Sequence, residues 1–162
     1  PGRIAISGDS AGGGLSFATL LSIRDKQLPL PACATPLSPW VDLECSGETM
    51  TSKAAVDPIV QRELTRQLSD LYVTDGNLRH PLASPLYADL SGLPPMLIQV
   101  GDRETLLDDS CRIAARAKEA GVDVQLEIAE GQIHVYQIFA NRLDEAVSAI
   151  DRLGQFIQSH TS

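Results

Sequence analysis

Ile4-Ala5-Ile6-Ser7-Gly8-Asp9-Ser10-Ala11-Gly12-Gly13-Gly14 decides how the rest of this chain is read. A short apolar run drops into Gly-x-Ser-x-Gly (Gly8, Asp9, Ser10, Ala11, Gly12), and a helical pattern follows at once. Strand, tight turn and helix in that order hold a serine at the tip of the turn, with its Oγ clear of the sheet. So tight a turn predicts that flanking side chains are nearly absent, hence glycine at positions 8 and 12. The helix expected over 12–27 then starts beneath Ser10. Its unpaired N–H groups and positive end face charge developing on a bound oxygen. The competing reading of these five residues is a Gly-rich turn that binds a phosphate. The strand before and the helix after favour the nucleophilic serine.

Composition narrows the setting. The 162 residues suffice for one domain with a proper core. Asp plus Glu number 21 against 13 Lys plus Arg, a net charge of −8, which argues against nucleic acid or an anionic membrane surface as partner. No apolar run approaches the length of a membrane span. Cys33, Cys45 and Cys111 form an odd set without metal-ligand spacing, so reduced thiols and a cytoplasmic location are expected, with Cys33 and Cys111 as buried filler. Because the chain opens on Pro1 directly before an apolar run, it is expected to lack its natural start, and an upstream signal peptide stays open.

The alternation of elements predicts an α/β fold, a parallel sheet with helices on both faces. Strands are expected over Arg3–Ser7 (buried on both faces), Ala32–Ser38, Met96–Val100 and Val122–Ala129, the last near an edge. Leu15, Phe17, Ala18, Leu20, Leu21 and Ile23 wrap most of the first helix, which should be largely buried. Residues 47–55 read as irregular and 74–95 as turn-rich. Asp57-Pro58 reads as an N-cap and first helical proline, opening a helix to about Tyr72. Another helix is expected over Leu106–Ala120, with Asp108 or Asp109 near its N-terminus and Gly121 as its C′ residue. Tyr136, Phe139, Leu143, Val147, Ile150, Leu153 and Ile157 form one stripe of a final helix.

A serine nucleophile needs a base and an acid. His134 falls in Glu130-Gly131-Gln132-Ile133-His134, a loop between the last strand and the last helix, where two rigid elements can hold a general base. His80 and His160 are given no role. The turn after Met96–Val100 offers Asp102, Glu104, Asp108 and Asp109 as acids. Asp108 and Asp109 are explained by the helix dipole, and Asp102 could instead bond nearby backbone N–H groups. Glu104 sits deeper in the loop with a longer reach. Asp9 is expected to brace neighbouring loops by hydrogen bonds.

Five blocks in order carry a family resemblance: Gly8-Asp9-Ser10-Ala11-Gly12-Gly13, Ser38-Pro39-Trp40-Val41-Asp42-Leu43, Ser84-Pro85-Leu86, Gly101-Asp102-Arg103-Glu104-x-Leu106-Leu107-Asp108-Asp109 and Ile133-His134-Val135. From about residue 3 to 158 the chain resembles the hormone-sensitive-lipase-like bacterial carboxylesterases, members of the α/β-hydrolase superfamily. The resemblance implies Ser10 as nucleophile, His134 as base and Glu104 as acid, since Glu104 stands 30 residues before His134 as the family's acid usually does. Asp102 is the alternative. The N–H of Ala11 would supply part of the oxyanion hole. Trp40, Leu43 and Val135 could line an acyl pocket, with core packing an equal reading for Leu43. The substrate would be a small ester, and neither cofactor nor metal is implied.

The resemblance also implies a defect. Such esterases draw further oxyanion donors from an upstream His-Gly-Gly-Gly-type loop, and this sequence contains none. Family members run to roughly twice this length, with a cap and four earlier strands. The chain is therefore expected to be the C-terminal half, with impaired turnover and a first strand whose bare edge invites self-association. A ligand-binding module that has given up catalysis, or an inert fragment, are the alternatives. Retention of His134 speaks against the first of these.

Overall fold

The structure is a computed structural model and describes residues 2–162. Four strands, β1 (Ala5–Asp9), β2 (Cys33–Leu37), β3 (Met96–Gly101) and β4 (Val124–Ala129), form one parallel sheet in the order β1-β2-β3-β4. Parallel neighbours need crossovers; β1 to β2 and β3 to β4 are each joined by a single helix, α1 (Ala11–Asp25) and α4 (Leu107–Glu119). Both pack on one face, where Phe17, Leu20 and Leu21 meet Ala34, Met96, Ile98 and Ile113. Strand side chains alternate, so Cys33 and Leu97 point the other way and meet Leu153 and Phe156 of α5 (Asp144–Thr161). Helices on both faces are thus confirmed.

The period-2 strand set is buried most where both faces are covered. All six residues of β3 are buried, whereas β1 is only half-buried, with Ser7 and Asp9 exposed. The expectation that the first strand is buried on both faces fails because, among the described residues, β1 pairs on one side only. Pro36 sits midway between Ala34, which donates to Pro95 O, and Ser38, which donates to Gln99 O. It has no N–H to offer, so the strand keeps its course with one rung missing.

Other departures have local causes. Leu15 belongs to the first helix but is 60 % exposed, on the side away from the sheet. A four-residue helix, α2 (Thr49–Ser52), interrupts the stretch read as irregular, tied by Thr49 Oγ1 donating to Thr105 O. Asp57 caps no helix. Its Oδ1 accepts the N–H groups of Ile59 and Val60 in an Asx turn, and α3 (Arg62–Tyr72) starts later. The final apolar stripe is not one helix: Tyr136–Phe139 is a 3-10 turn, and α5 begins at Asp144. Within α5 the sheet-facing side chains are Ala146, Ala149, Leu153 and Phe156, while Val147 and Ile150 face outward. Small alanines let the helix approach the sheet closely, which a reading of large apolar residues misses. Gly121 is the left-handed C′ residue as expected, at φ 81°.

Candidate active site

The carboxyl ends of β1, β2, β3 and β4 lead respectively into Ser10, Ser38, Glu104 and His134, so the topology gathers four loops at one edge of the sheet. Ser10 has φ 55° and ψ −119°, a strained backbone for a residue with a Cβ. Four hydrogen bonds over-determine it. Its N–H donates to Leu37 O (2.9 Å), and its carbonyl accepts from Gly13, Gly14 and Trp40 N–H groups (3.0, 3.2 and 3.0 Å). Gly8 is needed because a Cβ there would overlap the carbonyl of Gly12. Gly12 is different: a Cβ would meet nothing within 4 Å, so the requirement read for position 12 does not hold. Ala11 opens α1, and its N–H has no acceptor within the helix.

His134 is carried over the end of β3 because Gly101 has no side chain. A Cβ at 101 would strike the carbonyl of Gln132. The loop is fastened there by Arg103 N–H to Gln132 O (3.0 Å) and Gly131 N–H to Asp102 Oδ1 (2.7 Å). His134 is 4 % exposed, and its Nδ1 stands 3.4 Å from Oε1 of Glu104, itself fully buried. Glu104 Oε2 accepts the hydroxyl of Ser38 (2.9 Å) and the N–H of Gly101 (3.2 Å). The fold thus brings Glu104 and His134 together, and it places Asp102 on the loop backbone. Ser10 Oγ makes no hydrogen bond among the described residues.

An apolar cleft of about 530 Å³ opens beside the Gly8–Gly12 turn, here called the elbow, lined by Ala11, Gly12, Trp40 and Leu43 and flanked by Leu15, Leu68, Leu71 and Tyr72. Of the three residues expected at an acyl pocket, Trp40 and Leu43 line this cleft. Val135 is not at the cleft: it is buried, with φ 50°, and its N–H donates to Ser38 Oγ. Asp9 is exposed, and its carboxylate braces nothing among the described residues.

A carboxylate cluster supports the loop that carries Trp40. Asp109 Oδ2 accepts the N–H groups of Val41 and Asp42, both at 3.0 Å, and Asp108 receives Glu48 N–H. Burial pushes the Asp109 carboxyl up to about 7, with the Asp42 charge adding to it against the two backbone hydrogen bonds and Arg112. Burial would raise Asp42 as well, but hydrogen bonds from Ser46, Tyr87 and Glu44 hold it below the usual carboxylate range. Burial, then the Asp109 and Asp42 charges, push the Cys45 thiol up to about 11. All three cysteines are free; Cys33 and Cys45 are buried and Cys111 is only half-buried, so buried filler does not describe Cys111. No helix of the described residues is long and apolar enough to cross a membrane.

Sequence reasoning passed over Ser38 and misassigned Asp57, whose Oδ2 accepts Thr105 N–H and Oγ1–H next to Glu104. A serine ending a strand carries no signal until the strand order puts it between β1 and β3.

Comparisons with known proteins agree with this fold. A family profile described as alpha/beta hydrolase fold matches residues 1–138, and the chain belongs to that family. It is 41 % identical over 161 residues to an acetyl-hydrolase of Streptomyces hygroscopicus, covering 99 % of this chain and 54 % of the relative. It is 37 % identical to an esterase of Acinetobacter venetianus, covering 98 % of this chain and 53 % of that protein. A crystal structure of an esterase from the bacterial hormone-sensitive lipase family superposes with a TM-score of 0.98 at 50 % identity, covering all of this chain and 55 % of the other. The chain spans about half the length of these relatives.

Proposed function

We propose that the chain carries the catalytic residues of a serine carboxylesterase for short acyl esters. Ser10 attacks the ester carbonyl while His134 takes its proton, forming an acyl-enzyme and releasing the alcohol, to which His134 returns the proton. Water, deprotonated by His134, then cleaves the acyl-enzyme. Glu104 keeps the imidazole proton on Nδ1 and stabilises the imidazolium. The Ala11 N–H meets the developing oxyanion, and the cleft beside it takes the acyl chain. The observation that carries this reading is the buried Glu104–His134 pair at 3.4 Å, at the same sheet edge as a strained serine. The similarity to proteins called esterase and acetyl-hydrolase supports it.

In the 162-residue chain turnover is impaired, since each missing oxyanion donor costs on the order of 10²–10³-fold, and the bare edge of β1 pairs copies of the chain. The free thiols support a reducing, cytoplasmic setting. The test is p-nitrophenyl butyrate hydrolysis by this chain beside Ser10→Ala, with gel filtration in parallel. Residual turnover that disappears in the variant, from an associated species, agrees. A monodisperse monomer with full esterase turnover contradicts the impairment and the association. Turnover that survives in Ser10→Ala contradicts the nucleophile.

A further inference from the structure

We infer that Ser38 is a positioning residue whose hydroxyl fixes which oxygen of Glu104 faces His134, and through it the tautomer of the imidazole. The inference rests on the Ser10–His134–Glu104 reading and extends it to a fourth side chain.

Ser38 ends β2 and is fully buried. Its single hydroxyl hydrogen goes to Glu104 Oε2 at 2.9 Å, and its oxygen accepts the N–H of Val135 at 3.1 Å. One side chain therefore grips both the acid, which follows β3, and the peptide after the base, which follows β4. The two carboxylate oxygens of Glu104 are divided by these contacts. Oε2 is filled by Ser38 and the Gly101 N–H, and Oε1 is left for Nδ1 of His134.

Rotation about the terminal torsion of a glutamate is soft, so an unheld carboxylate swings over a broad range. A hydrogen bond to a charged group is strong enough to select one orientation. With Oε1 presented to it, His134 keeps its proton on Nδ1 and leaves the Nε2 lone pair for the nucleophile. Ser38 reaches this arrangement at a backbone cost. Its φ is 43°, and its N–H is anchored to Gln99 O at 2.7 Å.

That cost supplies the discriminating variant. Glycine adopts positive φ freely, so Ser38→Gly relieves the backbone while removing the hydroxyl, and Ser38→Ala removes the hydroxyl alone. A purely structural serine is replaced well by glycine, whereas a positioning serine is not. The readout is the ¹⁵N shift pattern of His134 in the 162-residue chain at a pH where the imidazole is neutral, with thermal unfolding recorded alongside.

The expected result is an Nδ1–H imidazole in the wild type and a shift toward the Nε2–H form in both variants. Ser38→Cys, which keeps a weaker donor, restores part of the original population. In hydrolysis of p-nitrophenyl butyrate, kcat falls roughly 10-fold or more at unchanged KM. An Nε2–H form already in the wild type, or a wild-type tautomer retained in Ser38→Gly, overturns the inference whatever the hydrolysis rates. A tautomer shift in a chain whose Ser10 takes no fluorophosphonate label keeps the positioning role and removes the nucleophile reading instead.

Discussion

Glu104 and Asp102 stand two residues apart in the turn after β3, yet their carboxylates serve different partners. Glu104 Oε1 lies 3.4 Å from Nδ1 of His134, and Asp102 Oδ1 accepts the Gly131 N–H at 2.7 Å. The turn thus presents one acid to the ring of the histidine and the other to the backbone of the loop that carries it. Asp102 is tied to the loop backbone and Glu104 faces the imidazole, and on that geometry Glu104 is proposed as the acid.

Glu104→Gln and Asp102→Asn therefore separate. The glutamine amide can offer Nδ1 a hydrogen where it needs an acceptor, and steady-state hydrolysis of p-nitrophenyl butyrate should fall on the order of 10³-fold or more. Asp102→Asn keeps an oxygen for Gly131 and should stay within a few-fold of wild type. The reverse ranking would make Asp102 the acid.

Asp57 is a stability prediction. Its two oxygens accept four donors, from Ile59, Val60 and both N–H and Oγ1–H of Thr105. Asp57→Ala leaves buried donors unpaired and should destabilise the fold by about 3 kcal/mol in urea titrations, with Asp57→Asn losing less. Equal stability of the alanine variant would show that water replaces the carboxylate.

Asp109 sets a pH dependence. Its carboxyl titrates at about 7 in the folded chain against 3.8 for an ordinary aspartate. The unfolded chain ionises first, so the stabilisation is fully present below pH 3.8 and is lost as pH rises through about 7. Urea midpoints of the wild type should fall relative to Asp109→Asn across that window. Parallel curves would contradict the buried, raised carboxyl.

Leu15 is exposed at the rim of the cleft beside the elbow. Leu15→Trp narrows that space, and the ratio of hexanoate to acetate ester turnover should drop several-fold if the acyl chain lies there. An unchanged ratio would move the acyl chain elsewhere.

Much of this was legible because it depends on local pattern. Gly8 and Ser10 mark the elbow by spacing alone, and β3 announces itself as an unbroken apolar run closed by Gly101. His134 was legible as a candidate base from its place between strand and helix. What was hidden depends on contacts far apart in the chain. Ser38 meets Glu104 66 residues away and Val135 97 residues away. Asp57 looked like a cap because Asp-Pro is a common helix start, and its tie to Thr105 spans 48 residues. The stripe from Tyr136 to Ile157 misled because a 3-10 turn has nearly the same apolar spacing as an α-helix.

An activated Ser10 should react with a fluorophosphonate, which labels only a nucleophilic serine. Intact mass and peptide mapping of the treated chain should show one adduct, on Ser10, absent from Ser10→Ala and slowed in His134→Ala. A folded chain that takes no label, or takes it on another residue, would show that Ser10 is not the activated nucleophile.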